Sequence, residues 1–218
     1  MAQTEQKNQN VKKQFEELQS LLERAMALQT SMVLFEWDDE TLAPKGAAEH
    51  TARVIGSLSE QYQEILASMR FKELLDVCLK AGKENAGVFD EVQSAILREA
   101  AEEQERLSCI PPEEYRAYAE LTARATGIWT CAREKNDFAS FAPVLKEIIS
   151  YQKKFAAYRA KPGQKLYDVM LDTYEKGFNM EMLDPFFELM KGKIVPLLKE
   201  SAERSKTVPD AFLSADYP

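Results

Sequence analysis

Chemistry needs particular side chains at particular spacings, and this chain is poor in the commonest of them. His50 is the single histidine of 218 residues. A zinc motif of the HExxH type needs two imidazoles one helical turn apart, so His50 cannot form it. The Glu-x-x-His pattern of di-metal helical bundles fails as well, because Ala47 stands three residues before His50 and two such motifs would be required. A Ser-His-Asp triad on His50 has no GxSxG elbow to supply its nucleophile. Cys78, Cys109 and Cys131 are widely separated, and none belongs to a CxxC pair that would suggest a thiolate metal site or a disulfide framework. Two acidic runs remain, Asp38–Glu40 and Glu99–Glu105. Metal-binding carboxylates must converge in a buried cavity with supporting groups, so the second run reads first as a solvated helix face. No catalytic and no metal-ligating residue is assigned from these patterns.

The composition sets the frame that must hold these residues. With 45% hydrophobic and 29% charged residues the chain is globular, and it is long enough to bury a core without disulfides. It carries 28 basic against 36 acidic residues, a net charge of −8. Nothing at that level favours a phosphate backbone, so nucleic acid is excluded as a partner. The N-terminal MAQTEQKNQN lacks the apolar stretch of a secretory signal, and no apolar run approaches the roughly 20 residues that span a bilayer. A soluble, cytoplasmic protein without membrane contact is expected. Eight glycines and nine prolines are few for a protein of many short strands, which points to long helices.

Val11, Phe15, Leu18, Leu22, Ala25, Leu28 and Met32 recur every three or four residues and predict a first amphipathic helix, with residues 1–10 frayed. The stretch Phe35–Gly46 reads as a corner. A second helix places Val54, Leu58, Tyr62, Ile65 and Met69 on one stripe, and a short one follows over Phe71–Ala81, closed by Gly82. Phe89, Val92, Ile96 and Ala100 open the next, which must stop before Pro111. Pro112 with Glu113 and Glu114 marks another helix start, carrying Tyr115, Tyr118, Leu121, Ala125, Ile128 and Ala132 on one face. Asn136 and Asp137 offer a break and a new N-cap for a helix through Phe141, Leu145, Ile148, Tyr151, Phe155 and Tyr158. Lys153, Lys154, Arg159 and Lys161 crowd its last turns as its dipole prefers. A short helix over Leu166–Glu175, a stop at Gly177 and an N-cap at Asn179 precede a last helix, which Pro196 should bend or interrupt. Residues 207–218 have no period and look like a cut tail. Trp129 is expected in the core, whereas Trp37, among Glu36, Asp38 and Asp39, either pins the corner or lines a groove.

The segment Trp37-Asp38-x-Glu40-Thr41 followed by Pro44-Lys45-Gly46-Ala47-Ala48-Glu49 resembles the early motif of the carboxypeptidase Taq family. Two later stretches resemble that family in order. One runs from Trp129 through Ala132, Arg133, Asn136, Asp137, Phe138, Phe141 and Pro143 to Leu145; the other runs from Tyr167 and Asp168 through Leu171, Asp172, Tyr174 and Glu175 to Gly177, leading to Val195-Pro196-Leu197-Leu198. Ala43 and Thr51 depart from the pattern, at places where methionine and arginine would be expected.

The resemblance implies an all-α, bundle-like array forming the N-terminal part of a larger helical metallopeptidase, with residues 1–218 as one helical region. It implies a parent that releases single residues from peptide C-termini, using a divalent metal, zinc or cobalt, held by an HExxH helix and a glutamate beyond this stretch. The chain alone would then be inactive and hold no cofactor. Trp37 and Asp38 would face peptide in the substrate groove. Peptide is the implied substrate, and a homodimer is expected from apolar surface left uncovered. The competing reading is a self-contained helical module whose exposed face binds a partner helix.

Overall fold

In a computed structural model the chain is described over residues 2–85 and 87–206, with side chains for all of these except residues 2–5, 7 and 45. Residues 207–218, expected as a cut tail, lie outside the described residues. Eight α-helices and one 3-10 turn account for the regular structure among them, in line with the all-α expectation. They are α1 (Ala2–Thr41), the 3-10 turn Lys45–Ala47, α2 (Ala48–Ala67), α3 (Met69–Glu84), α4 (Glu91–Ser108), α5 (Pro112–Glu134), α6 (Phe138–Arg159), α7 (Leu166–Tyr174) and α8 (Met180–Ser205). None is long and apolar enough to cross a membrane. The helices fall into two compact units, Met1–Arg159 and Ala160–Pro218.

In the first unit α2 is the hub, packed against α1, α3, α4 and α5, while α5 carries α6. The stripe on α1 does what its spacing requires: Val11, Phe15, Leu18 and Ala25 are buried and meet Phe71, Leu74, Leu75 and Cys78 of α3 and Leu97, Ala100 and Leu107 of α4 in one core. Phe15 and Phe89 stack there with centroids 5.1 Å apart. On α2 the most buried positions are Thr51, Ala52, Ile55, Gly56, Ser59, Gln63 and Leu66, one step round the helix from the predicted Val54–Leu58–Tyr62 stripe. Small and polar residues win that face because it is shared by neighbours lying close on both sides. A Cβ at Gly56 would sit 2.2 Å from Cγ of Glu120 on α5, and the Ser59 hydroxyl lies 3.1 Å from the Met32 sulfur on α1.

Arg116 of α5 reaches across to Glu60 of α2 at 2.9 Å and along its own helix to Glu120 at 3.0 Å. Between α5 and α6, Tyr118, Tyr151 and Phe155 form an aromatic cluster with centroids 5.3–5.8 Å apart. The basic run near the end of α6 has two roles. Arg159 Nε donates to the Phe155 carbonyl at 3.2 Å, as a cap should, but Lys154 instead bonds Glu114 of α5 at 2.6 Å.

Several boundaries differ from the sequence reading. Ser68 ends α2 with extended backbone and accepts from the Phe71 amide, so Met69 starts α3 and is 77% exposed instead of finishing the previous stripe. Gly82 lies inside α3, which runs to Glu84; no glycine conformation is needed to end it, because Asn85 caps it in the extended region. Asp90 caps α4 in a reciprocal box with Gln93. Asn136 does break the chain as expected. It adopts φ 52°, its amide and that of Asp137 close on Arg133 and Ala132 in a Schellman pattern, and Asp137 then caps α6 through the Ser140 amide.

In the second unit the expected stop and start both hold. Gly177 takes φ 81°, a conformation an L side chain resists, and the Asn179 side chain accepts from the Met182 amide at 3.0 Å. The α8 helix is not interrupted at Pro185 or Pro196. None of its side chains is buried, so carbonyls freed by either ring can turn to water.

Candidate functional site: the corner groove

The helix α1 does not stop at Phe35 as the acidic run suggested. Phe35–Thr41 contains neither glycine nor proline, and the helix closes only where Pro44 disfavours helical backbone at Ala43. The amides of Leu42 and Ala43 both donate to the Asp38 carbonyl, at 2.9 and 2.8 Å, and the Thr41 hydroxyl donates to the Trp37 carbonyl at 2.6 Å. The 3-10 turn then delivers Glu49 into the first turn of α2.

This corner forms one side of a groove of about 1,050 Å³. Asp39, Glu40, Pro44 and Glu49 face the C-terminal half of α5, represented by Arg124, Trp129 and Cys131, with Asp137 and Ser140 closing the end. Among the described lining residues, the five carboxylates of Asp39, Glu40, Glu49, Glu134 and Asp137 outnumber the two cations Arg124 and Lys135, which tilts the lining towards acid. Glu49 is approached by Arg53 at 3.4 Å and Arg124 at 3.8 Å, pairs too exposed to hold much energy. Just outside the groove, burial first and the neighbouring Glu40 second hold the Glu36 carboxyl above the usual range.

Trp129 is the groove's aromatic surface. It is 43% exposed, with the Arg133 guanidinium 5.2 Å from its ring centroid. The expectation that it belongs to the core is therefore corrected. Its spacing held no warning: the buried Ala125 and Ala132 stand four residues before and three after it, so Trp129 sits at the edge of the buried stripe of α5. Trp37 is 56% exposed on α1 and Asp38 is half-buried; their neighbours Asp39 and Glu40 line the groove.

His50 is exposed at the start of α2, and among the described residues no three His, Cys, Asp or Glu side chains converge as a metal site. The donors present do not fit a catalytic divalent metal, which needs imidazole or several carboxylates around one point. Of the thiols, Cys78 is fully buried and burial pushes its pKa up to about 11, whereas Cys131 is exposed. A disulfide reagent at pH 8 should label Cys131 fast, half-buried Cys109 slowly, and Cys78 only on unfolding. Because the folded thiol holds its proton longer than the unfolded one, the stability linked to Cys78 is lost as pH rises from about 8.5 through about 11. Equal labelling of all three thiols in the native protein would contradict this burial.

Among the described residues the array is all-helical, with a carboxylate-rich, aromatic groove at its first corner and no cluster of metal-binding side chains. The chain belongs to the carboxypeptidase Taq (M32) metallopeptidase family, whose model matches residues 17–218. It is 32% identical over 198 residues to carboxypeptidase 1 of Bacillus subtilis, covering 91% of this chain and 38% of that protein. Its fold matches a solved structure described as BsuCP with TM-score 0.81 and 33% identity, over 86% of this chain and 37% of the other. Metallocarboxypeptidase 1 of Trypanosoma cruzi matches with TM-score 0.72 and 27% identity, over 91% and 39%. The chain thus spans between 36% and 41% of the curated relatives it matches and corresponds to the N-terminal portion of a Taq-type carboxypeptidase.

Proposed function

We propose that this chain forms the helical wall of a substrate groove in a metal-dependent carboxypeptidase that releases single residues from peptide C-termini. The observation that carries the reading is the conjunction of the family match with a 1,050 Å³ groove faced by an exposed tryptophan. A divalent ion, zinc or cobalt, would be held by residues outside this stretch, where it would polarise the scissile carbonyl and lower the pKa of a bound water. The contribution of these residues is binding: Trp129 offers a flat apolar face, and the acidic lining discourages acidic peptide. Trp37 and Asp38 belong to the same corner and are assigned to its peptide-facing edge. A homodimer is supported by the uncovered apolar side chains of α8, among them Phe186, Phe187, Leu197 and Leu198, each at least half exposed. A cytoplasmic setting completes the reading.

The test has two arms. The 218-residue chain assayed with added zinc or cobalt should show no carboxypeptidase turnover, and robust turnover would mean that metal ligands have been misplaced. In a full-length protein carrying this sequence, Trp129→Ala should lower kcat/KM by about tenfold, through KM more than kcat, because an exposed aromatic lost from a peptide groove removes about 1–2 kcal/mol of uniform binding. Trp37→Ala should follow the same pattern more weakly. Unchanged KM in both variants at normal stability would remove the groove from substrate binding.

A further inference from the structure

The charges that line the corner groove do not cancel. Glu49 is answered by Arg53 and Arg124, and Asp137 accepts from the Ser140 amide. Asp39 and Glu40 of α1 and Glu134 at the end of α5 have neither an ion pair nor a side-chain hydrogen bond among the described residues, and Lys135 is the one described lining cation left to set against them. Carboxylates on the walls of a cleft focus their field into it.

Two observations independent of that surplus bear on what lies there. Gly127, in the middle of α5, makes the helix less stable than alanine would, yet a Cβ at this position meets nothing within 4 Å. Gly56 of α2 is different, because Glu120 fills the space of its missing side chain. At Gly127 the bare backbone lies on the groove, on the face of α5 that also carries Arg124, Cys131 and Glu134, so a bound chain can approach the helix closely there. In the same groove the Trp129 ring already holds a guanidinium, that of Arg133, which shows that its face accepts a cation.

We propose that the corner groove selects peptides that carry a lysine or arginine, the peptide backbone crossing α5 at Gly127 and the basic side chain held by Glu40 and Glu134. The inference rests on this being the substrate groove proposed above, and it adds which peptides the groove prefers. A metal ion is the poorer partner for these carboxylates, since no three of them converge among the described residues.

The experiment follows hydrolysis, by a full-length enzyme containing this sequence, of peptides of about eight residues that share their last three and carry lysine, alanine or glutamate at one internal position after another. At the position over the groove, kcat/KM for the lysine peptide should exceed that for the glutamate peptide by about tenfold at low salt, through KM, and the ratio should shrink as salt is raised. Glu40→Gln combined with Glu134→Gln should bring the ratio below about threefold, and Glu134→Lys should reverse it. Both side chains are exposed, so the unfolding midpoint should not fall. Gly127→Ala should raise KM for every peptide by about threefold or more while the unfolding midpoint of the 218-residue chain rises, a combination that damage to the fold does not produce. A ratio near one at every position, a ratio that survives the double substitution, or unchanged KM in Gly127→Ala overturns the proposal. A lowered midpoint for Gly127→Ala in the full-length enzyme overturns it too, since the protein's own residues would then pack at that position. If any of these occurs while Trp129→Ala still raises KM, the substrate groove stands and this inference alone is lost; unchanged KM in Trp129→Ala removes both.

Discussion

Phe71→Ala is expected to lower the unfolding free energy of this protein by about 3–5 kcal/mol. Phe71 is fully buried in the first turn of α3, in one core with Phe15 and Leu18 of α1 and Leu97 of α4. Truncation removes the transfer energy of the ring and leaves a hole among long helices that cannot all move inward together. Since natural stabilities lie near 5–15 kcal/mol, a loss of this size should shift the urea midpoint by more than a molar at ordinary m-values, with the slope unchanged. A change below about 1 kcal/mol would mean that α3 does not sit in that core.

Gln63→Glu should cost nearly as much for a different reason. Gln63 is entirely buried, and its Nε2 donates to the carbonyls of Leu107 at 3.2 Å and Ile110 at 2.5 Å, tying α2 to the turn that leads into α5. The Leu107 carbonyl also accepts from the Ile110 amide at 3.1 Å, so the Ile110 carbonyl is the more dependent partner. Glutamate has almost the same shape but turns the donor into an ionised acceptor facing two carbonyl oxygens. An uncompensated buried charge costs about 3–5 kcal/mol. Its carboxyl pKa should be raised by burial, because the protonated form can again donate. The unfolded variant then loses its proton before the folded one, so the variant should regain stability as pH falls from 7 towards about 4.5, while the parent protein does not. Gln63→Met separates the two effects: it removes the donor without adding charge and should cost about 1–3 kcal/mol at every pH. Denaturation of all three at pH 7 and pH 5 measures this, and a pH-independent loss for Gln63→Glu would show that water reaches the site.

The existence and order of most helices were legible in the sequence, because the apolar period of 3.6 and the caps at Pro112, Asn136–Asp137, Gly177 and Asn179 are local signals that each act within one turn; the length of α1 was not, since it starts at Ala2, where residues 1–10 were expected frayed, and runs on to Thr41. The stripe on α1 was equally plain, since Val11 through Ala25 faces a single core. The absence of paired imidazoles is likewise a property of the sequence, and no packing can supply a second histidine.

What the sequence left open was every choice that depends on a neighbour far along the chain. Which side of α2 is buried was decided by its neighbours: α5 comes close at Gly56, α1 at Ser59, and the Leu107 and Ile110 carbonyls hold Gln63, while Val54, Leu58 and Tyr62 stay half-buried. Trp129 looked like core by size alone, yet its side of α5 opens on a groove that exists only once the α1–α2 corner is brought opposite it. Helix periodicity reports how apolar residues are spaced around one axis. It carries no information on which other axes lie alongside, and those neighbours determine whether a face becomes core, crevice or open surface.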